Sequence, residues 1–146
     1  MNSLQTNLIF IASLLLAIAV GLGAFGAHAL EGLISESDAG IYETANKYHF
    51  IHALGLLILS QLVKKMHRKP IKWAGIFLFS GIVLFSGSLY ALALSQAVLG
   101  ERLSFLGIIT PIGGLAFIIG WLIIAFSLWH KLGDDRYKYK EKQEAE

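Results

Sequence analysis

Four long apolar stretches, separated by charged segments, constrain this chain more than any other feature. A bilayer core is spanned by roughly 20 consecutive apolar residues in a helix. With 55% hydrophobic and only 15% charged residues, the chain lacks the polar side chains that a soluble fold of 146 residues needs for its surface. We therefore predict an all-α membrane protein, with four transmembrane helices in a compact bundle over residues 1–132. The spans are expected at about residues 7–30, 42–63, 73–97 and 103–130, followed by a hydrophilic cytoplasmic tail over residues 133–146.

The second stretch is the shortest, because its uncharged part covers only residues 48–63. Its helix is expected to begin near Ile41, in the amphipathic segment IYETANKYHF, which would lie among the lipid headgroups before turning inward. Tyr42 and Tyr48 are expected to act as anchors at this interface. At the other end of the chain, Gly133 is a typical helix stop and predicts where the last helix ends.

The distribution of lysine and arginine predicts the orientation. With four spans, one side of the membrane carries only Lys47 and Arg102. The other side carries Lys64, Lys65, Arg68, Lys69, Lys72, Lys131, Arg136, Lys138, Lys140 and Lys142. Basic loops stay in the cytoplasm, so the pattern predicts a multi-pass protein of the plasma membrane with both termini cytoplasmic. A rival interpretation takes Ala27-His28-Ala29 as a signal-peptide cleavage site, but residues 1–7 carry no basic residue.

Composition also excludes several classes of function. The chain has no cysteine, which rules out disulfides, thiolate metal sites and thiol redox relays. A formal net charge of +2, without a basic patch, argues against nucleic acid as a partner. The lipid bilayer is the partner that the composition predicts.

Polar residues concentrate in the outer half of the predicted bundle. His49 and His52 are three residues apart and therefore share a helix face. Three interpretations stay open: hydrogen bonds between helices, a proton or polar-ligand site, and a metal site. The candidate ligand-binding residues are His28, His49, His52, Ser88, Tyr90 and Thr110, and we expect His28, His49, His52 and Tyr90 to line one interior pocket. The candidate metal ligands are His28, His49, His52 and Glu43, and the sequence leaves the cofactor undetermined.

Small residues recur every fourth position in two of the spans. Ala19, Gly23 and Ala27 form one such stripe, and the other consists of Gly87, Ala91 and Ser95. Stripes of this kind allow helix backbones to approach closely in lipid. We therefore expect Gly23 and Gly87 at helix–helix contacts, and the stripes are candidate surfaces for partner helices or a homo-oligomer.

Four segments, in order, carry a resemblance to a known family. The segments GAFGAHAL, YETANKYHFIHALGLL, LFSGSLYALAL and ITPIGGLAFIIGW resemble the bacterial membrane family called domain of unknown function 423. The likeness extends to about Trp129 and implies a four-span protein of the bacterial plasma membrane. It implies no activity. The positions that match the family's motifs are Gly26, His28, Tyr48, His49, His52, Gly87, Ser88, Tyr90, Thr110, Pro111 and Gly113.

Two classes of function follow. The first is a non-enzymatic binding or accessory module that holds a lipid, a quinone or a partner helix in its outer half. The second is a component of a metal-, proton- or haem/quinone-linked membrane enzyme or transporter that uses the histidines. The sequence contains no nucleophile motif, phosphate loop or HExxH zinc motif, so we favour the first class.

Overall fold

Five α-helices and one π-helical segment form the part of the chain that the structure describes. The computed structural model describes the backbone of residues 3–144 and the side chains of residues 3–133. Within that part of the chain there is no β-strand. The π segment joins α3 to α4 without a break, so the chain folds as four helical rods. The elements are α1 (Ser3–His28), α2 (Glu36–Leu62), α3 (Arg68–Gly81), the π segment (Ile82–Ser86), α4 (Gly87–Leu99) and α5 (Leu106–Glu144).

The all-α membrane fold is confirmed, and three rods are long and apolar enough to cross a bilayer: α1, residues 68–99, and residues 106–133 of α5. The second rod, α2, has charged residues in its first half. Its uncharged part, residues 48–62, is about 22 Å long at 1.5 Å per residue, shorter than the ~30 Å hydrocarbon core.

A serine N-cap starts α2 earlier than expected. The Ser35 hydroxyl accepts a hydrogen bond from the backbone N–H of Asp38 at 3.1 Å and donates one to Asp38 Oδ2 at 2.8 Å. The first bond satisfies a backbone N–H that the first turn of a helix leaves unpaired, and the second holds the Asp38 carboxylate beside the Ser35 hydroxyl. The carboxylates of Glu36 and Asp38 also favour the positive end of the helix dipole. The helix therefore begins at Glu36, five residues before the predicted start at Ile41.

The last helix does not stop at Gly133. It continues to Glu144, so that prediction was wrong. The glycines with a left-handed backbone in the described chain are Gly32 and Gly100, whereas Gly133 keeps helical geometry. The residues after it are mostly Lys, Glu, Arg and Gln, which are good helix formers.

The buried residues of the bundle form two clusters, one toward each end of its axis. The helix α1 lies against α2, α2 lies against α4, and α5 lies against α3 and the π segment. A large apolar core fills the half that contains the α2–α3 connection, with Leu56, Leu59, Ile71 and Leu78 fully buried. A smaller cluster, in which Leu30, Tyr42 and Ala93 are buried, occupies the opposite half. Tyr42 and Tyr90, two of the polar side chains described below, belong to that second half.

Glycines mark the closest approaches between rods. A Cβ on Gly26 would meet the Tyr42 ring at 2.6 Å, and one on Gly113 would collide with the backbone of Phe85 in the π segment. The predicted contact at Gly23 is confirmed, because its Cβ would lie 3.1 Å from Asn46 Oδ1. The predicted contact at Gly87 is wrong: the nearest atom, the Ile82 carbonyl oxygen, is 4.0 Å away and belongs to the same rod.

Candidate functional site

A hydrogen-bonded network joins three helices in the polar half of the bundle. Asn46 on α2 donates from Nδ2 to the Ala19 carbonyl oxygen on α1 at 2.8 Å and to the Tyr90 hydroxyl on α4 at 3.0 Å. One turn earlier, the Tyr42 hydroxyl donates to the Leu22 carbonyl oxygen at 2.8 Å. The rings of Tyr42 and Tyr90 meet edge to face, with centroids 4.9 Å apart. Tyr42 is thus buried in the bundle, and its predicted role as an interfacial anchor is wrong.

Beside this network, α1 and α2 enclose a groove of about 240 Å³. Small residues on α1 create the space, and side chains of α2 supply its polar lining. The lining residues are Gly23, Gly26, Ala27, Leu30, Ile34, Ala39, Tyr42, Glu43, Asn46 and Lys47. The groove therefore combines an apolar wall with an amide, a phenol, a carboxylate and an ammonium group, which is the mixed lining that small-molecule sites usually have.

The two charged residues of the groove are both exposed and unpaired. Glu43 and Lys47 lie one helical turn apart on α2. Among the described side chains, the ion pair is between Arg102 and Asp38, and neither Glu43 nor Lys47 takes part in one. The mouth of the groove thus offers one negative and one positive charge to a ligand.

Deeper in the bundle, His49 is buried without a hydrogen-bond partner on either ring nitrogen. Its ring meets the Tyr90 ring edge to face, with centroids 6.2 Å apart. The buried hydroxyl of Ser86, in the π segment, also lacks a partner. Ser86 lies one turn before Tyr90, and His49 lies one turn after Asn46. Because α2 and α4 are antiparallel neighbours, the Asn46–Tyr90 bond brings both unpartnered groups to a similar depth.

His52 is also buried, but its ring has a hydrogen bond and aromatic contacts. Its Nδ1 lies 2.8 Å from the Tyr48 carbonyl oxygen, which can only accept, so Nδ1 carries the proton. The ring stacks on Phe117 of α5 with centroids 3.4 Å apart and lies beside Trp121. His52 therefore serves as a packing contact between α2 and α5.

The other candidate residues do not join one pocket. His28 is exposed at the last residue of α1, so the prediction that it faces the interior is wrong. Counted at 100° per residue, it points about 200° away from Gly26, which faces α2. Ser88 and Thr110 bond to each other at 2.8 Å and join α4 to α5, on the other side of the bundle from the groove.

The four candidate metal ligands lie in different environments. His49 and His52 are buried, whereas His28 and Glu43 are exposed. Among the described residues, no group of three or more His, Cys, Asp or Glu side chains is placed to hold a metal ion.

An ion pair involves Asp38, which lies between the groove residues Ile34 and Ala39 in the sequence. Arg102, in the α4–α5 connection, donates from Nη1 to Asp38 Oδ1 at 2.6 Å. The hydrogen bond from Ser35 lowers the pKa of the Asp38 carboxyl most; partial burial opposes this, and the guanidinium of Arg102 lowers it further. The start of α2 is thereby tied to the connection between α4 and α5.

Sequence reasoning missed Asn46, the residue at the centre of the network. Its position was readable from spacing. Tyr42, Asn46, His49 and Ala53 recur at intervals of four, three and four residues, which places them on one helix face. The prediction that residues 41–47 lie among the lipid headgroups left no interior face for Asn46 to occupy.

The chain is similar to a set of bacterial membrane proteins. Residues 22–114 match the family described as protein of unknown function DUF423. A UPF0382 membrane protein of Staphylococcus epidermidis is 48% identical over 119 residues, which cover 82% of this chain and 92% of the relative. The UPF0382 membrane protein YwdK of Bacillus subtilis is 49% identical over 108 residues, covering 73% and 83% of the two chains. No solved structure matches the chain.

Proposed function

The chain belongs to the DUF423 family of membrane proteins, and we propose that it is a non-enzymatic binding or accessory module whose polar site lies in the outer half of the bilayer. The protein lies in a lipid bilayer, since the relatives are membrane proteins and three rods are long and apolar enough to cross a bilayer. In this proposal α2 is the fourth span. Its charged first half, residues 36–47, then lies at the outer surface.

The orientation rests on charge. The basic loop at residues 64–72 follows α2, and the basic tail follows the apolar part of α5. Both would lie in the cytoplasm of a bacterial cell, as would the N-terminus. On the same side, Lys131 donates to the Lys65 carbonyl oxygen at 2.6 Å, which supports placing the loop and the end of the last span at one membrane face.

The groove between α1 and α2 is the observation that carries the binding role. It opens beside the network of Tyr42, Asn46 and Tyr90, so its walls are held by bonds between three helices. A preformed cavity of this kind costs a ligand little reorganisation. The metal-linked alternative has less support, because its candidate ligands are not gathered in the structure. Partner helices and a homo-oligomer remain predictions.

Filling the groove tests the binding role. We expect Ala27→Trp to place an indole in the groove, because Ala27 is one of its lining residues. Ala29→Trp is the matched control: Ala29 directly follows the last residue of α1, is exposed, and does not line the groove. Lipids that remain bound after purification in mild detergent would be measured by native mass spectrometry. Bound lipid should be lost only in Ala27→Trp; equal retention in both variants would contradict a site in the groove.

Because the chain contains no cysteine, a single introduced cysteine is the one thiol that a maleimide can label in a topology test. Single cysteines at Ser37 and at His67 should react differently with a maleimide that cannot cross membranes. In intact cells we expect labelling at position 37 only, and labelling at position 67 only after the membrane is opened. The reverse pattern would overturn the orientation.

A further inference from the structure

We propose that the groove between α1 and α2 binds a phospholipid whose headgroup carries both a phosphate and a primary ammonium, as in phosphatidylethanolamine. This inference rests on the proposed function and names the ligand class of that site. Glu43 and Lys47 at the mouth of the groove are the residues that select it.

The two charges match the two ends of such a headgroup. Glu43 and Lys47 are four residues apart, so their Cβ atoms lie about 5–6 Å from each other on the helix surface. The short ethanolamine link holds phosphate and ammonium within a comparable reach. Neither side chain is engaged in another ion pair among the described residues, so both are available. Lys47 contacts the phosphate, and Glu43 contacts the ammonium.

A third polar atom favours a primary ammonium over a quaternary one. Asn46 uses Nδ2 for both of its bonds, to the Ala19 carbonyl oxygen and the Tyr90 hydroxyl. The carbonyl oxygen only accepts, which fixes the amide orientation. Among the described residues, Asn46 Oδ1 accepts no hydrogen bond, and it faces Gly23, one of the groove residues. Glu43 and Asn46 Oδ1 thus supply acceptors for N–H groups, and a trimethylammonium group has no N–H to donate.

The size and walls of the groove fit a headgroup. A volume of about 240 Å³ is below the ~300 Å³ at which sites for drug-sized ligands begin, so it suits a fragment of a few heavy atoms. Leu30, Ile34 and Ala27 form its apolar wall. The acyl chains then run along the bundle surface, where α1 already exposes large side chains such as Phe25 to lipid.

Lipid selectivity tests the inference. The purified full chain would be reconstituted in nanodiscs that contain equal parts of phosphatidylethanolamine, phosphatidylcholine and phosphatidylglycerol, and its bound lipids would be read by native mass spectrometry. We expect phosphatidylethanolamine to be enriched about tenfold, as a charge-assisted contact of ordinary strength provides. Glu43→Gln should reduce the enrichment over phosphatidylcholine to about twofold or less, because the amide cannot hold the ammonium as a carboxylate does. Lys47→Gln should weaken binding of all three lipids.

Matched control variants test whether removing a charge elsewhere on the protein has the same effect. Glu101→Gln and Lys72→Gln alter exposed residues outside the groove and should leave the enrichment unchanged. Free phosphoethanolamine should not displace the lipid at equal concentration; displacement would overturn a lipid ligand in favour of a soluble one. If Ala27→Trp removes bound lipid but the wild type shows no headgroup preference, the proposed function stands and this inference fails. If Ala27→Trp retains the lipid, both fail.

Discussion

Asn46 and Tyr90, 44 residues apart in sequence, are joined by a hydrogen bond of 3.0 Å from the amide nitrogen to the phenol oxygen. The same nitrogen also bonds to the Ala19 carbonyl oxygen on α1. In lipid, helices gain no hydrophobic stabilisation from touching each other, so such polar contacts and close packing hold a bundle together. Asn46 is therefore the residue through which α1, α2 and α4 keep their relative positions.

Removing the Tyr90 hydroxyl should loosen this junction. We expect Tyr90→Phe to lower the free energy of unfolding by about 0.6 kcal/mol and Asn46→Leu by more, up to about 1.7 kcal/mol, because the second variant loses both bonds. Unfolding by a denaturing detergent, followed by circular dichroism, measures the change. Thr44→Val is the control, since the Thr44 hydroxyl bonds only to the Gly40 carbonyl within α2. A larger loss in Thr44→Val than in Asn46→Leu would refute the junction.

The depressed pKa of Asp38 predicts a loss of stability in acid. Hydrogen bonds from Ser35 and Arg102 hold this pKa below its ordinary value of 3.8, so the folded protein binds the proton less readily than the unfolded chain does. The stabilisation is complete above pH 3.8 and disappears as the pH falls through the lower, folded value. Thermal midpoints measured from pH 6 to pH 2.5 should fall more steeply in the wild type than in Asp38→Asn. Parallel curves would contradict this assignment.

The ion pair itself should contribute modestly. Because 40% of the Arg102 side chain is exposed, water screens its attraction to Asp38. We expect Arg102→Ala to cost about 1 kcal/mol, the upper end for a partly exposed pair. The cost should be absent when Asp38 is already Asn, which a double-mutant cycle in detergent would show. An equal cost in both backgrounds would mean that Arg102 acts through some other contact.

Hydropathy predicted the three helices that are long and apolar enough to cross a bilayer, but it did not predict which face each polar residue takes. Hydropathy and charge predict how far along its helix a residue lies, and this was enough to predict that His49 and Tyr90 lie close together, as their ring contact shows. The direction around the helix axis needs an internal reference. For α1, the small residues Gly23 and Gly26 indicate the face that packs against α2. Measured from that face, His28 is predicted to point away from the bundle.

The early start of α2 was also readable, from the S-x-x-D pattern at Ser35. The π segment was not. Its Ile-Val-Leu-Phe-Ser sequence has no distinctive local signal, and it lies where Gly113 of α5 packs against the Phe85 backbone, a contact that only the tertiary fold reveals. Segments of this kind frequently mark functional sites. Here the segment contains Ser86, whose buried hydroxyl has no hydrogen-bond partner among the described residues.

His49 should tolerate an apolar replacement. Both of its ring nitrogens are buried without partners, and an unsatisfied buried polar group costs about 1–3 kcal/mol. We expect His49→Leu to leave the free energy of unfolding unchanged or to raise it. His52→Leu is the contrasting variant and should lower it by about 1–2 kcal/mol, because it loses the Tyr48 hydrogen bond and the stack on Phe117. A marked destabilisation by His49→Leu would contradict this prediction.

Two glycines of the family motifs should respond in opposite directions to the same substitution. Both lie within helical rods, so the change to alanine gains about 0.8–1 kcal/mol of helix propensity at each. At Gly87 no atom outside the adjoining helix backbone lies closer than 4.0 Å to the added methyl group, and Gly87→Ala should stabilise the protein by up to that amount.

At Gly113 the methyl group would overlap the backbone of Phe85, which cannot move aside as a flexible side chain can. The rods would have to separate, and we expect Gly113→Ala to lower the free energy of unfolding by about 1–3 kcal/mol, as overpacking usually does. Denaturation in detergent compares the two variants directly. Equal stability of Gly113→Ala and Gly87→Ala would mean that α5 does not approach the π segment as closely as described, and that the small residue at position 113 has another purpose.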